Sequence, residues 1–176
     1  MQRIVQLPLA EGATVLTIIN DAARAYNGVI PPDRWKEPYM SAEELAEEIE
    51  AGVQFYGTVQ EGLALGVAGI QHCDGVDLIR HCYVSTRFQR QGIGSALLRY
   101  LMRFTHSPEV LVGTWEAATW AIRFYERHGF ELVSREEKDR LLQQYWNIPR
   151  RQIETSVVLK RDTRREKTVS EISKRR

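Results

Sequence analysis

Residues Leu78 to Phe104 read LIRHCYVSTRFQRQGIGSALLRYLMRF. The stretch opens on an apolar, β-favouring run, Leu78 to Val84, which predicts a strand. Ser85 to Gln91 is a polar loop with two Arg and two Gln. Gly92 and Gly94 follow, and Ile93, Leu97, Leu101 and Phe104 then recur on one helical stripe. A strand, a glycine loop and a helix in this order leave free backbone N–H groups at a helix N-terminus, where they can hold a phosphate. Both glycines are expected to let the main chain approach such a ligand closely. Gln89 to Gly94 has the form Q-x-x-G-x-G. It is not a dinucleotide fingerprint, because Leu97 takes the third glycine position, and it lacks the G-K-S/T of a Walker A loop. By itself the loop does not distinguish a ligand site from a connecting turn.

Upstream, Arg3 to Leu7 predicts a strand and Thr14 to Tyr26 a helix, stopped by Asn27-Gly28. Val29 to Tyr39, with three prolines around Trp35, predicts an irregular loop with an aromatic plug. Ser41-Ala42-Glu43-Glu44 is a capping box opening a helix that ends at Gly52. Val53–Gln60 and Leu63–Gln71 flank Glu61-Gly62 and predict a hairpin; Asp74-Gly75 then turns the chain into Val76–Val84. Downstream, strands are predicted at Val110–Trp115, Phe130–Val133 and Ile153–Lys160, and helices at Thr119–His128 and Glu136–Tyr145. The resulting class is α/β (α+β): a mixed, mostly antiparallel sheet of about seven strands with helices on both faces.

The length suggests one domain, over residues 1–160. Residues 161–176 carry seven Lys or Arg against three Asp or Glu and few apolar side chains, so a basic, disordered tail is expected there. The whole chain has a net charge of +1, which offers no field for a nucleic acid. Cys73 and Cys82 are too few for a disulfide scaffold and form no C-x-x-C pair. His72-Cys73-Asp74 are adjacent, and adjacent residues rarely chelate one ion, so no metal is expected. No apolar run reaches the length of a membrane span, and MQRIVQLPLAEG has no signal-type apolar core. A reduced, cytoplasmic setting without a membrane partner is the expectation.

A second motif, Ala121-Ile122-Arg123-Phe124-Tyr125-Glu126-Arg127-His128-Gly129-Phe130, follows the loop by about thirty residues. The pair of motifs, with Arg80-His81-Cys82-Tyr83-Val84 before the loop, resembles the GNAT superfamily of acetyl-coenzyme A-dependent N-acetyltransferases. The resemblance spans Arg3 to Lys160, and the last third is similar to an uncharacterised bacterial branch. It implies a GNAT-like sheet and direct acetyl transfer from acetyl-CoA to a primary amine in a ternary complex. A small-molecule amine is the expected acceptor. A protein or peptide N-terminus is the alternative, as is a non-catalytic acyl-CoA sensor. Homodimers are common in such proteins.

By resemblance, the backbone of Cys82, Tyr83 and Val84 would hold the pantetheine arm. The N–H groups of Gln89, Arg90, Gln91, Gly92, Ile93, Gly94 and Ser95 would take the pyrophosphate. Ala118 stands where many members carry an Asn that contacts the arm. Tyr125 takes the place of a general acid for the departing thiolate; a phenol of pKa about 10 is matched to a thiol near 8.5. The amine must also lose a proton, and His81 and Glu116 are the two candidate bases. Strand alternation puts His81 and Cys82 on opposite faces, so a bulge would decide where His81 points. Cys82 is read as a small buried residue rather than a nucleophile. Asp77 and Arg80 are read as solvated or ion-paired, His72 and His106 as surface, and His128 as a charge at a helix C-terminus. The segment Tyr26–Tyr39, with Trp35, is expected to cover the acceptor site.

Overall fold

The computed structural model describes residues 1–164. The architecture is mixed α/β, with seven strands in a mostly antiparallel sheet and six α-helices among the described residues. The strands are β1 (Arg3–Leu7), β2 (Gln54–Gln60), β3 (Leu63–His72), β4 (Val76–Val84), β5 (Glu109–Trp115), β6 (Glu131–Leu132) and β7 (Ser156–Asp162). The helices are α1 (Gly12–Ala23), α2 (Ala42–Glu50), α3 (Ile93–Leu101), α4 (Thr119–Glu126), α5 (Arg135–Tyr145) and α6 (Arg150–Glu154). The chain groups into two compact units. The first is Met1–Gln71 with Ile79–Phe104, and the second is His72–Leu78 with Thr105 onward.

In the first unit β1 pairs antiparallel with β2, and β2 with β3. The β2–β3 turn has φ of 52° at Glu61 and 79° at Gly62. Positive φ at both central residues suits a two-residue hairpin, because its twist then matches that of the strands. Phe55 and Tyr56 show how the sheet is covered. Phe55 packs with Val15, Ile19 and Leu45 of α1 and α2. Its neighbour Tyr56 points to the opposite face, stacks on Phe104 just after α3 and meets the tilted ring of Tyr100 within α3. Helices therefore lie on both faces of this part of the sheet. The capping box of α2 forms as expected: Glu44 N donates to Ser41 Oγ, and Ser41 N to the Glu44 carboxylate.

In the second unit β7 pairs antiparallel with β5 and with β6. Leu141 and Leu142 of α5 pack on Leu111 and Val158 in its core. The C-terminal region departs from expectation. The alternation that predicts a strand from Ile153 is interrupted, since Ile153 and Glu154 complete α6. Pro149 enters in extended geometry and its carbonyl accepts from Gln152 N and Ile153 N, so the chain winds up before it extends. Arg150 pairs with Glu154 one turn on. At the other end β7 runs through Asp162. Arg161 stays ordered because its guanidinium donates to His128 O and lies over the Phe130 ring. The rest of the expected tail, from residue 165, lies outside the described residues.

Asp77, read as solvated or ion-paired, takes a partner, and the two surface histidines lie beside it. Asp77 is fully buried; its Oδ1 lies 2.6 Å from His72 Nδ1, and its Oδ2 accepts from His106 N and Ser107 N. His72 and His106 are exposed, but their rings lie together at 4.8 Å. Among the described residues, no three His, Cys, Asp or Glu side chains gather as a metal site, and no helix is long and apolar enough to cross a membrane.

Candidate functional site

The loop after β4 is built by local chemistry. Ser85 N donates to Leu65 O, and Phe88 N donates back to Ser85 O, which closes a tight turn over Thr86–Phe88. Gln89 Nε2 then donates to Val84 O and ties the loop to the end of the strand. Arg90 and Gly92 both take left-handed backbone, at φ of 61° and 80°. Left-handed residues spaced this way turn successive amides toward one side, which is the geometry of an anion nest. Gly92 is the N-cap of α3, and no side chain caps the helix. Its first-turn amides are thus left for water or a ligand. Arg87, Gln89, Arg90, Gln91 and Gly92 are all exposed. Gly94 is placed differently from Gly92. It sits inside α3 in ordinary helical backbone, so Gly92 alone of the pair uses its conformational freedom. Ile93 is buried and anchors the helix, and Ser95 is half-buried in its first turn.

His81 has φ of 50° within β4. On a regular strand Arg80 and His81 would face opposite sides. Here both reach Glu48 of α2: the Arg80 guanidinium donates to Oε1, and His81 Nε2 lies 3.3 Å from Oε2. The left-handed residue breaks the alternation, as a bulge does. It also settles the face of His81, which stacks on Phe55 at 5.8 Å. Neither Glu48 Oε2 nor His81 Nε2 makes an aligned hydrogen bond among the described residues, though both are buried. Burial pushes the Glu48 carboxyl up, but contact with His81 and the charges of His81 and Arg80 outweigh it and hold the group below its ordinary value. Glu48 is therefore an ionised carboxylate clamped between two β4 side chains. Arg80 also donates to Gln71 Oε1 at 2.9 Å.

Tyr83 lies in a cluster of tyrosines, with the Tyr26 ring 6.3 Å away and Tyr39 beside Tyr26 at 5.3 Å. Burial of its hydroxyl pushes the Tyr83 phenol well up, and the hydrogen bonds with Tyr26 and Tyr39 add to this. Cys82 and Val84 are half-buried.

Asp21 of α1 was not legible as a functional residue in the sequence. Its carboxylate accepts from Ser85 Oγ at 2.9 Å, Thr86 N at 2.7 Å and Thr86 Oγ1 at 3.0 Å. Partial burial pushes this carboxyl up, but those three donors and the nearby Arg24 outweigh it and leave the net value low. Its neighbour Asn20 accepts from Met40 N and donates to Met40 O. Two adjacent residues of α1 thus fix the start of the loop and the end of the Trp35 segment. The one signal in the sequence is the Asn20-Asp21 pair inside a run, Val15 to Ala23, that is apolar apart from Thr17. Between α1, the Trp35 segment and the loop lies a pocket of about 690 Å³, wholly within the first unit.

The remaining expected residues belong to the second unit. Tyr125 is 7% exposed on α4, its ring edge-on to Phe124 at 5.0 Å and to Phe130 at 5.8 Å. Ala118 is fully buried at the N-cap of α4, and its methyl group offers no hydrogen bond. Glu116 is exposed on the turn after β5, and its side chain makes no hydrogen bond or ion pair among the described residues. His128 sits at the C-terminal end of α4 with Nδ1 2.7 Å from Phe124 O.

The sheet, the break in β4 and the open helix start after it define an α/β protein with an anion-type loop. The chain belongs to the GNAT acetyltransferases: the family described as "Acetyltransferase (GNAT) domain" matches residues 20–143, more than two thirds of the sequence. No curated protein matches the sequence. Among solved structures, the chain is similar to the PaiA N-acetyltransferase of Thermoplasma acidophilum in complex with coenzyme A. The two are 15% identical with a TM-score of 0.68, over 92% of this chain and 99% of that one. It is similar also to the ribosomal-protein-S18-alanine N-acetyltransferase of Escherichia coli, at 18% identity and a TM-score of 0.67 over 92% and 94%. N-acetylglutamate synthase of Neisseria gonorrhoeae, complexed with coenzyme A and N-acetyl-glutamate, matches at 18% and 0.62, over 92% of this chain and 35% of that one. At these identities the likeness is one of fold.

Proposed function

We propose that the protein transfers the acetyl group of acetyl-coenzyme A to the primary amine of a small molecule, by direct attack in a ternary complex. The observation that carries this is the loop from Val84 to Ser95, where left-handed Arg90 and Gly92 and an uncapped helix start present amides and two exposed arginines to an anion. A pyrophosphate fits that chemistry. The coenzyme supplies the acetyl group as a thioester. Cys82, Tyr83 and Val84 offer the backbone that would align its arm, directly after the broken alternation at His81.

His81 is the base this arrangement supports. Its Nε2 faces an ionised Glu48, so Nδ1 is the nitrogen able to take a proton from the amine. The carboxylate then offsets the imidazolium charge. Glu116 has no such partner. Tyr125 is assigned the return of a proton to the thiolate. The direct test is thiol release from acetyl-coenzyme A with the purified protein over a panel of amines. Amine-dependent release with formation of an acetamide is expected. Tight binding of the coenzyme with no release for any amine would instead make the protein an acyl-coenzyme A sensor.

A further inference from the structure

Behind His81 runs a line of largely buried polar side chains, all within the first unit. Gln71 lies near the end of β3. Its Nε2 donates to Ala51 O, just past α2, and its Oε1 accepts from Arg80 at 2.9 Å. The other terminal nitrogen of Arg80 donates to Glu48 Oε1, and Glu48 Oε2 lies 3.3 Å from His81 Nε2. Each member is thus held from both sides. A main-chain carbonyl and a guanidinium hold the amide, an amide and a carboxylate hold the guanidinium, and a guanidinium and an imidazole hold the carboxylate. The bond from Arg80 therefore fixes where the Glu48 carboxylate stands against His81. Facing His81 are Glu48 from α2, Arg80 from its own strand, and the uncharged Phe55 ring from β2. Arg80, Glu48 and His81 have side chains only 11%, 22% and 16% exposed, so water and salt screen their charges incompletely. Arg80 is charged at every working pH. It offsets the Glu48 charge that would otherwise hold a proton on the ring.

We propose that Arg80 is a positioning residue for His81. Anchored by Gln71 and acting through Glu48, it keeps the carboxylate against Nε2 and sets the pH below which His81 no longer takes a proton from the amine. The assignment rests on the base role given to His81 in the acetyl transfer proposed above.

The test is a pH titration of the full chain by nuclear magnetic resonance, following the His81 ring signal, which is identified by its loss in His81→Gln. It is run on the wild type, Glu48→Gln, Arg80→Gln and Arg80→Lys, with the pH profile of kcat/KM for amine-dependent thiol release in parallel. Glu48→Gln removes the attraction for an imidazolium and leaves the Arg80 charge, so the midpoint is expected to move to lower pH by about one unit. Arg80→Gln leaves the carboxylate uncompensated, so the midpoint is expected to move to higher pH by about one unit. Arg80→Lys keeps the charge and should return the midpoint toward wild type. Shifts of opposite sign separate the proposal from a structural role, since loosening the cluster by either change would push the ring the same way. Midpoints that stay in place, or that move in the same direction in both variants, would overturn it. So would an Arg80→Lys midpoint equal to that of Arg80→Gln. If Arg80→Gln does not fold, Arg80→Met takes its place with the same expected direction. The two proposals fail separately. Opposed ring midpoints with no thiol release for any amine sink acetyl transfer and keep the positioning role. Thiol release with ring midpoints indifferent to Glu48 and Arg80 does the reverse.

Discussion

Replacing Asp21 by Ala removes the side chain that fixes the start of the loop after β4 to α1. Three donors converge on that carboxylate, at 2.7 to 3.0 Å. A bond to a charged group contributes at most about 1.5–3 kcal/mol, and partial exposure of Asp21 lowers this to roughly 0.7–1 kcal/mol each. The loop therefore loses about 2–3 kcal/mol of local ordering. If the ligand must restore that order, coenzyme A affinity falls by about thirty- to a hundredfold, at 1.4 kcal/mol per decade. Isothermal titration with coenzyme A reads this directly. Asp21→Asn is expected to lie between wild type and Asp21→Ala, because it keeps one acceptor oxygen and turns a donor toward Thr86 N. A cycle with Thr86→Val tests the route: the two changes should be less than additive. The pH dependence has a definite sign. The folded carboxyl lies below its ordinary 3.8, so its contribution is complete above that value and is lost as pH falls through the folded one. Affinity should thus be flat in this respect from about pH 8 to 5. Coenzyme binding by Asp21→Ala within twofold of wild type, with unchanged amide exchange at Ser85–Phe88, would refute the reasoning.

Four further outcomes follow from the geometry. His81→Gln should lower kcat by about 10²- to 10⁴-fold with little change in coenzyme affinity, and equal turnover would move the base elsewhere. Glu48→Ala leaves Arg80 without its carboxylate and should cost about 2–3 kcal/mol in denaturant unfolding after allowance for partial exposure; the part tied to Glu48 ionisation is present above pH 4.5 and fades as pH falls through the lower folded value. Tyr125→Phe should slow thiol release while calorimetry shows coenzyme binding intact, and wild-type kinetics would remove Tyr125 from the chemistry. Gly66→Ala places a Cβ 3.0 Å from Ile93 Cγ2 and 3.1 Å from Tyr83 O, so it should destabilise by about 1–3 kcal/mol and loosen donor binding; an unchanged melting temperature and affinity would show that β4 yields freely.

What was legible before folding was local. The α2 capping box, the Glu61-Gly62 hairpin and the helix after Gly92 each rest on residues a few positions apart, where spacing and backbone preference decide the outcome. The same local logic failed at Ile153, where alternation suited a strand but Pro149 and the Arg150–Glu154 pair favoured a turn of helix first.

The sequence by itself determined the order of elements apart from α6, the family and the glycine loop after β4, because each leaves a pattern along the chain. Only the tertiary structure decided what surrounds the loop. Asp21 meets Thr86 across 65 positions, and Glu48 meets Arg80 across 32. No periodicity records such contacts, since they depend on how helices settle on a sheet. The face of His81 likewise turned on one left-handed residue inside a strand, a strain that the surrounding packing sustains and that composition does not announce.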